Sequence, residues 1–289
     1  MAVANDRELA SRLGKLGATN GISFYNRKTD SCTYVAIAPS SPAEKFNSVA
    51  ETISAAKTVI INAANIDKLF AESIIGASLI DRKIIIVGPD PSAMLKEFGI
   101  EYECVGEEGL LSRLDALAAS DSCGAPIVDI DRAFNVKGVG VVVLGVVREG
   151  NVAAHDTLYS SDGKEIVIRS IQVQDDDVES AGAGSRVGLA VKGADANDFR
   201  KGDVLSKTLI PHVASIEASI RMNTMVKEKG FDYKELWLVS GFRSSICTVG
   251  LAGNDVRIQL QSKLALRAGD AFLLVRRGEP RIFAGGLVK

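Results

Sequence analysis

A chain of 289 residues, 46% hydrophobic and 24% charged, carries enough apolar material for two or three packed domains, which excludes a disordered protein. No apolar run approaches the ~20 residues that span a bilayer, and Met1-Ala-Val-Ala-Asn-Asp-Arg7 lacks the basic region and apolar core of a secretory signal, so a cytoplasmic location and no membrane role are expected. The four cysteines (Cys32, Cys104, Cys123, Cys247) show no CxxC spacing, which argues against a zinc site or a disulfide framework.

The net charge of −2 is unevenly spread. Residues 1–125 hold 12 Lys+Arg against 16 Asp+Glu, residues 126–207 hold 10 against 13, and residues 208–289 hold 12 against 7, an excess of five positive charges in the last segment. Only that last segment could attract phosphate by its field alone, with a solvated basic face that holds no ligand as the alternative.

In chain order, Ala2–Ala4 reads as a short strand, and Asn5 or Asp6 caps a helix through Leu13. Ile22–Tyr25 and Tyr34–Ala38 read as paired strands. Ser41-Pro42 opens a helix to about Ala56. Thr58–Ile61 and Lys83–Val87 are apolar runs of buried strands, with a helical pattern from Ile66 to Ile80 between them. Leu95–Phe98 reads as a short helix, Tyr102–Val105 as a strand and Leu110–Leu117 as a closing helix. Apolar strands alternating with helices imply a parallel sheet covered on both faces. The pattern changes at Asp121-Ser-Cys-Gly-Ala-Pro126, a linker composition. Beyond it, short β-rich runs are separated by turns such as Asp162-Gly163 and Ala183-Gly184, as in a small barrel. The third segment starts near Thr208. Ser215–Met225 is open between helix and strand, and Trp237–Val239, Ser245–Gly250, Val256–Leu260 and Phe272–Val275 read as strands of a second barrel. The expected domains are 1–122, 126–207 and 208–289.

Four phrases in the middle segment carry a family resemblance. They are Phe134-Asn-Val-Lys-Gly-Val-Gly-Val-Val-Val-Leu-Gly-Val146, Ile168-Arg-Ser-Ile-Gln172, Ala181-Gly-Ala-Gly-Ser-Arg-Val-Gly-Leu189 and Phe199-Arg-Lys-Gly-Asp-Val-Leu205. In this order they resemble the second domain of translation GTPases, closest to elongation factor Tu and the selenocysteine-specific elongation factor. Ala265-Leu-Arg-Ala-Gly-Asp270 and Arg281-Ile-Phe-Ala-Gly-Gly286 resemble the third domain of that family. The resemblance implies a GTPase-like parallel α/β domain followed by two small antiparallel β-barrels, in a protein that meets tRNA or the ribosome.

The first segment aligns in pattern but departs in chemistry. A GTPase carries a Gly-x-x-x-x-Gly-Lys-[Ser/Thr] loop after its first strand, whose N–H groups wrap the phosphates. Here the strand runs straight into Asn5-Asp-Arg-Glu8, and Gly14-Lys15 lacks the spacing, so a helix C-cap is the expected role of Gly14. Lys15–Phe24 resembles switch one, with Thr19 at the place of the threonine that meets Mg2+ and the γ-phosphate. Val35-Ala-Ile-Ala-Pro-Ser-Ser41 lies where the family has Asp-x-Pro-Gly-His. Pro39 matches, while Ile37, Ser40 and Ser41 replace the metal-linked aspartate, the glycine and the water-positioning histidine. Of the guanine-reading Asn-Lys-x-Asp, only Asp90 remains, a residue that also suits a helix N-cap. The cofactor positions implied are thus Thr19 and Asp90. No cofactor, metal or catalytic residue is expected, because several charge-assisted contacts to GTP and Mg2+ are missing together.

Candidate RNA contacts are Arg169 and Arg186 in the middle segment, Arg243 and Arg267 in the last, and Lys227, Lys229 and Lys234, which alternate with Phe231 and Tyr233. The acidic run Asp175–Asp177 with Glu179 lacks EF-hand spacing and reads as a solvated loop, and His155 and His212 have no spaced partners. Three functions remain open: a non-hydrolysing elongation factor-like protein that binds tRNA or the ribosome, a regulatory module that competes for a translation factor's protein partner, and a weak GTP binder.

Overall fold

The computed structural model describes residues 1–19, 21–30, 32–40, 47–118, 124–226, 235–252 and 255–289. Strand Ala2–Val3 lies at the centre of a seven-stranded sheet, parallel to Thr33–Pro39 on one side and to Thr58–Asn62 on the other. Lys83–Val87 and Glu103–Val105 extend the parallel half. Ile22–Lys28 and the edge strand Lys15–Thr19 complete the other side as antiparallel additions. The central runs are apolar throughout because both faces are covered. Helices Ser48–Ala55 and Lys68–Leu79 pack on one face, and Arg7–Leu13 with Glu107–Ala118 on the other.

Two departures from the expected elements concern the switch-like stretch and Gly14. Lys15–Thr19 is a strand of this sheet, where the sequence suggested only a switch-like loop. Gly14 follows the first helix in extended backbone (φ 178°), so it is not a left-handed cap. A Cβ there would stand 2.5 Å from the Asn26 carbonyl oxygen, so glycine is required by close approach of the chain. The expected start of the next helix at Ser41-Pro42 lies outside the described residues; the described helix spans Ser48–Ala55.

The sheet is locked to its closing helix by Arg27, whose fork meets Asp115 at 2.8 and 2.7 Å, while the Tyr34 hydroxyl donates to the same carboxylate at 3.1 Å. The Arg27 hydrogen bonds hold the Asp115 carboxyl below its ordinary value. A carboxyl depressed in the folded state stabilises the fold above the unfolded value of about 3.9, and that contribution is lost as pH falls through the folded value. Asp115→Asn is therefore expected to flatten the loss of stability below about pH 4. Urea midpoints from pH 7 to pH 2.5 for both proteins test this, and parallel curves would refute it.

Strands Ile127–Val136, Gly140–Glu149, Thr157–Ser160, Glu165–Val173, Arg186–Lys192 and Val204–Ser206 close a six-stranded antiparallel barrel around Val143, Ile168 and Leu189. The Asp162-Gly163 turn joins two of them as expected, with Gly163 at φ 83°. His212–Met222 is a strand, which resolves the open stretch. With Leu236–Ser240, Arg243–Ala252, Asp255–Ala265, Ala271–Val275 and Ile282–Val288 it forms a second closed barrel. The barrels are tied by His212, whose ring nitrogens face Asp162 and Asp203 of the first barrel at 2.9 and 2.8 Å.

The second barrel shares one hydrophobic cluster with the α/β domain: Ile53, Phe70 and Ile74 of the helices meet Leu273, Val275 and Ile282 of the barrel. The Arg281 guanidinium and backbone N–H also reach Glu72. The Ser54 hydroxyl accepts from the Gly241 N–H at 3.0 Å, and Lys201 of the first barrel pairs with Glu51 at 2.7 Å.

Candidate functional site

Two places can be compared with the sequence expectations: the outer ends of the parallel strands, and the groove between the α/β domain and the first barrel.

At the strand ends, only Ala4, Asn5 and Asp6 separate the first strand from the first helix. The Asp6 carboxylate accepts from the Leu9 N–H at 3.0 Å and from Asn62 Nδ2 at 2.6 Å. Asn5 and Asn62 exchange two further bonds of 2.8 Å through Asn5 Nδ2 to the Asn62 carbonyl and the Asn62 N–H to Asn5 Oδ1. A helix N-terminus favours negative charge, and here the chain's own carboxylate supplies it. Ile37 is buried among Ala2, Ile22 and Phe24, an apolar environment. Ser41 lies outside the described residues.

Thr19 and Asp90 are not brought together. Thr19 is exposed on the edge strand, its hydroxyl 3.3 Å from that of Ser23. Asp90 follows the strand Lys83–Val87, five strand spacings across the sheet, roughly 24 Å at 4.8 Å each. Asp90 Oδ1 accepts from the Tyr102 hydroxyl at 2.7 Å and from the Ser92 N–H at 3.0 Å. The Tyr102 bond lowers the Asp90 carboxyl, and the same bond pushes the Tyr102 phenol up to about 12. Asp90 thus organises its own turn.

The groove runs between the free edge of Lys15–Thr19 and the barrel strands Gly140–Glu149, Glu165–Val173 and Arg186–Lys192. It encloses about 490 Å3 and is lined by Lys15, Asn26, Arg132, Gln172, Asp175 and Arg186 among others. Two of its cations are held by Asp131, whose side chain is 1% exposed and does not itself line the groove. Arg186 Nη2 donates to Asp131 at 2.9 Å, and Arg132 Nε stands 3.9 Å from the same carboxylate. Arg186 also lies over the Phe24 ring, 3.7 Å from its centroid, which joins the barrel to the α/β sheet by a cation–π contact. Burial lowers the Arg186 guanidinium from its ordinary value, and Asp131 opposes that shift. Arg186 Nη1 and Asn26 Oδ1 are buried without a hydrogen-bond partner. Lys15, Arg132 and Arg186 against Asp131 and Asp175 leave one net positive charge. The arrangement suits a polar, anionic group laid between the two domains, with Lys15 and the 44%-exposed Arg132 free to reach it.

The sequence-derived arginines and lysines fare unevenly. Arg186 is in the groove, but it is a buried positioning group, with its side chain 9% exposed. Arg169 is exposed, and its Nη1 donates to the Val139 carbonyl at the tip of the Gly140 hairpin at 2.8 Å. Arg267 is partly exposed and engages Glu149 and Asp270. Arg243 contradicts its expected role: it is 3% exposed, sealed between the barrels, and donates to the Ser240 and Ala265 carbonyls. A buried guanidinium with fixed carbonyl and carboxylate partners cannot present itself to RNA. Lys227, Lys229 and Lys234 lie outside the described residues. The acidic run is engaged, Asp176 with Lys28 of the α/β sheet and Asp177 with Gln172 of its own barrel. Lys15 and Arg132 escaped the sequence reading because nothing in their local pattern says that an edge strand and a barrel strand face each other. No helix of the described residues is long and apolar enough to cross a membrane.

Residues 140–206 match the family described as elongation factor Tu domain 2. A Methanocaldococcus jannaschii protein of uncharacterized function is 26% identical over 92% of this chain and 91% of its own length. The selenocysteine-specific elongation factor of Haemophilus influenzae is 30% identical over 54% of this chain, a match spanning about a quarter (26%) of that protein. A bacterial selenocysteine-specific elongation factor EF-Sec superposes with a TM-score of 0.77 at 18% identity, covering 98% of this chain and 53% of that one. Elongation factor SelB from Methanococcus maripaludis, bound to the GTP analogue GPPNHP, gives a TM-score of 0.74 at 19% identity, covering 100% and 77%. Residues 140–206 thus match elongation factor Tu domain 2, within a chain whose α/β-plus-two-barrel fold is that of the selenocysteine-specific elongation factors.

Proposed function

We propose that the protein binds an RNA of the translation machinery, a tRNA or the ribosome, through its barrels and the Lys15–Arg132–Arg186 groove, and that it does so in the cytoplasm without a GTP switch. The observation that carries this reading is the groove. It sets cations at the junction of the α/β domain and an elongation factor Tu-type barrel, where a phosphate-bearing strand can lie between the two. The exposed Arg169 beside the Gly140 hairpin offers a second cationic contact on the same barrel. The Asp6 carboxylate at the first helix supports the absence of nucleotide. A phosphate brought to that N-terminus would meet a fixed negative charge and would have to displace the Asn5–Asn62 pair.

Two measurements test the reading. Fluorescence anisotropy with labelled tRNA over a salt series is expected to show binding that weakens linearly in log salt, and Arg132→Glu is expected to weaken it about tenfold or more while lowering the salt slope by roughly one to two contacts. Absence of binding even at low salt would sink the proposal and favour the protein-partner reading. Calorimetry with GTP and Mg2+ is expected to show no binding tighter than about 10 µM, roughly −7 kcal/mol. Tighter binding would mean that the strand ends hold nucleotide despite Asp6.

A further inference from the structure

Each of the three parts of the chain touches the other two, so their contacts close a ring. The α/β sheet meets the first barrel where the Val35 N–H donates to the Gly184 carbonyl at 2.9 Å and where Arg186 lies over Phe24. The first barrel meets the second through the buried group of Asp129, Arg148, Arg243 and Asp270, and through His212 to Asp203 at 2.8 Å. The second barrel meets the α/β domain through the cluster around Leu273, and at Gly285, where a Cβ would stand 2.7 Å from that of Leu79. Arg221 of the second barrel also donates to the Leu79 carbonyl at 2.6 Å and pairs with Asp81 at 2.8 Å, at the end of helix Lys68–Leu79. All three parts meet at Phe24, which is 1% exposed. Its ring carries Arg186 of the first barrel on one side, and the Phe242 ring of the second packs against it edge-on, with centroids 5.8 Å apart.

We infer, taking the groove of Lys15, Arg132 and Arg186 as the RNA site proposed above, that this ring is a conformational lock. The groove is permanently assembled, and it is governed by competition for its occupant, not by movement of one part against another. Domains joined in a row swing at the cost of one interface, and small polar interfaces allow it. In a ring, turning any one part breaks two interfaces at once. Here at least one of the two is always the shared hydrophobic cluster or the buried charge group. Parting the cluster loses close packing, and parting the charge group leaves ionised side chains uncompensated in a low dielectric. The approach of Gly285 to Leu79 adds a steric bar to sliding. The lock reaches the groove directly: Arg186, which shares Asp131 with Arg132, is itself held by Phe24 at the centre of the ring.

Amide hydrogen exchange of the full chain, followed by NMR, tests the lock without RNA, so its failure is distinct from a failure of tRNA binding. The Val35 and Gly241 N–H groups report two of the interfaces, because their acceptors, the Gly184 carbonyl and the Ser54 hydroxyl, belong to another part. Both residues are buried, so these groups exchange only when the parts separate or the chain unfolds. Ile60, Leu189 and Leu274, fully buried and one in each part, report global unfolding. Protection at Val35 and Gly241 is expected to lie within about tenfold of that at the three core amides, and to be unchanged by GTP and Mg2+. Protection lower than that, or a change with GTP, overturns the inference. In Leu273→Ala, which weakens one interface, protection at Val35 and Gly241 is expected to fall together, by about thirtyfold or more. A fall at Gly241 that leaves Val35 untouched overturns the inference as well, because the ring would then open at one interface alone.

Discussion

Replacing Arg243 with alanine is expected to cost about 3–5 kcal/mol of stability, the range for removing one partner of a buried ion pair. Arg243 begins a strand of the second barrel and is buried against two carboxylates from different barrels. Asp129 of the first barrel lies 3.8 Å from its Nη2, and Asp270 of the second lies 3.7 Å from its Nη1. Arg148 completes the group at 3.6 Å from Asp129 and 3.3 Å from Asp270, so two guanidiniums balance two carboxylates away from water. Burial lowers the Arg243 guanidinium, and both aspartates oppose the shift; an arginine stays charged at neutral pH. Without it, the two buried carboxylates keep only Arg148 and, at Asp270, the more exposed Arg267, and the Ser240 and Ala265 carbonyls lose a donor. Gly202 stands against the same side chain: a Cβ there would lie 2.5 Å from Arg243 Cγ. Urea unfolding followed by circular dichroism measures the cost, and a loss under about 1 kcal/mol, the scale of an exposed pair, would show that the cluster is solvated and weak. Asp129→Asn should be less costly in the Arg243→Ala background than alone, because the charge it removes is then uncompensated.

Leu273→Ala is expected to cost about 2–5 kcal/mol and to loosen the α/β domain from the second barrel. Leu273 is fully buried in the cluster shared by helices Ser48–Ala55 and Lys68–Leu79 and the barrel strand Ala271–Val275. The interface is tight enough that Gly76 brings its helix within reach of Ile53, Leu273 and Ile282. Trp237, the single tryptophan, packs against this cluster, so its fluorescence reports the junction while circular dichroism reports the whole chain. In the native protein the two signals should change together. In Leu273→Ala the tryptophan transition is expected to move to lower urea than the other. Coincident transitions in the variant would mean that the junction is not separately weakened.

The order of elements was legible because each segment carries its own period. Val59–Ile61 and Ile84–Val87 are unbroken apolar runs, which a strand buried on both faces requires, and the glycine-punctuated phrases from Phe134 to Leu205 fit a small barrel. Asp6 was readable as a helix cap because capping acts over three residues. The strand Lys15–Thr19 was not readable: its burial is low and its pairing with Ile22–Lys28 carries a bulge, so period-two alternation is lost. Arg243 looked like the other arginines of a basic segment because burial by a neighbouring domain leaves no local mark.

The sequence by itself determined the layers, the likeness of the first barrel and the lack of a Gly-x-x-x-x-Gly-Lys motif after the first strand, since these depend on residue type and on spacings of a few positions. The tertiary structure alone decided which charges face solvent and which face one another. Arg132 and Lys15 are 117 positions apart (132 − 15) and share one groove, while Arg243 and Asp129, 114 apart (243 − 129), neutralise each other between barrels. Coulomb and desolvation energies depend on distance in space and on exclusion of water, and neither is written in the order of the chain.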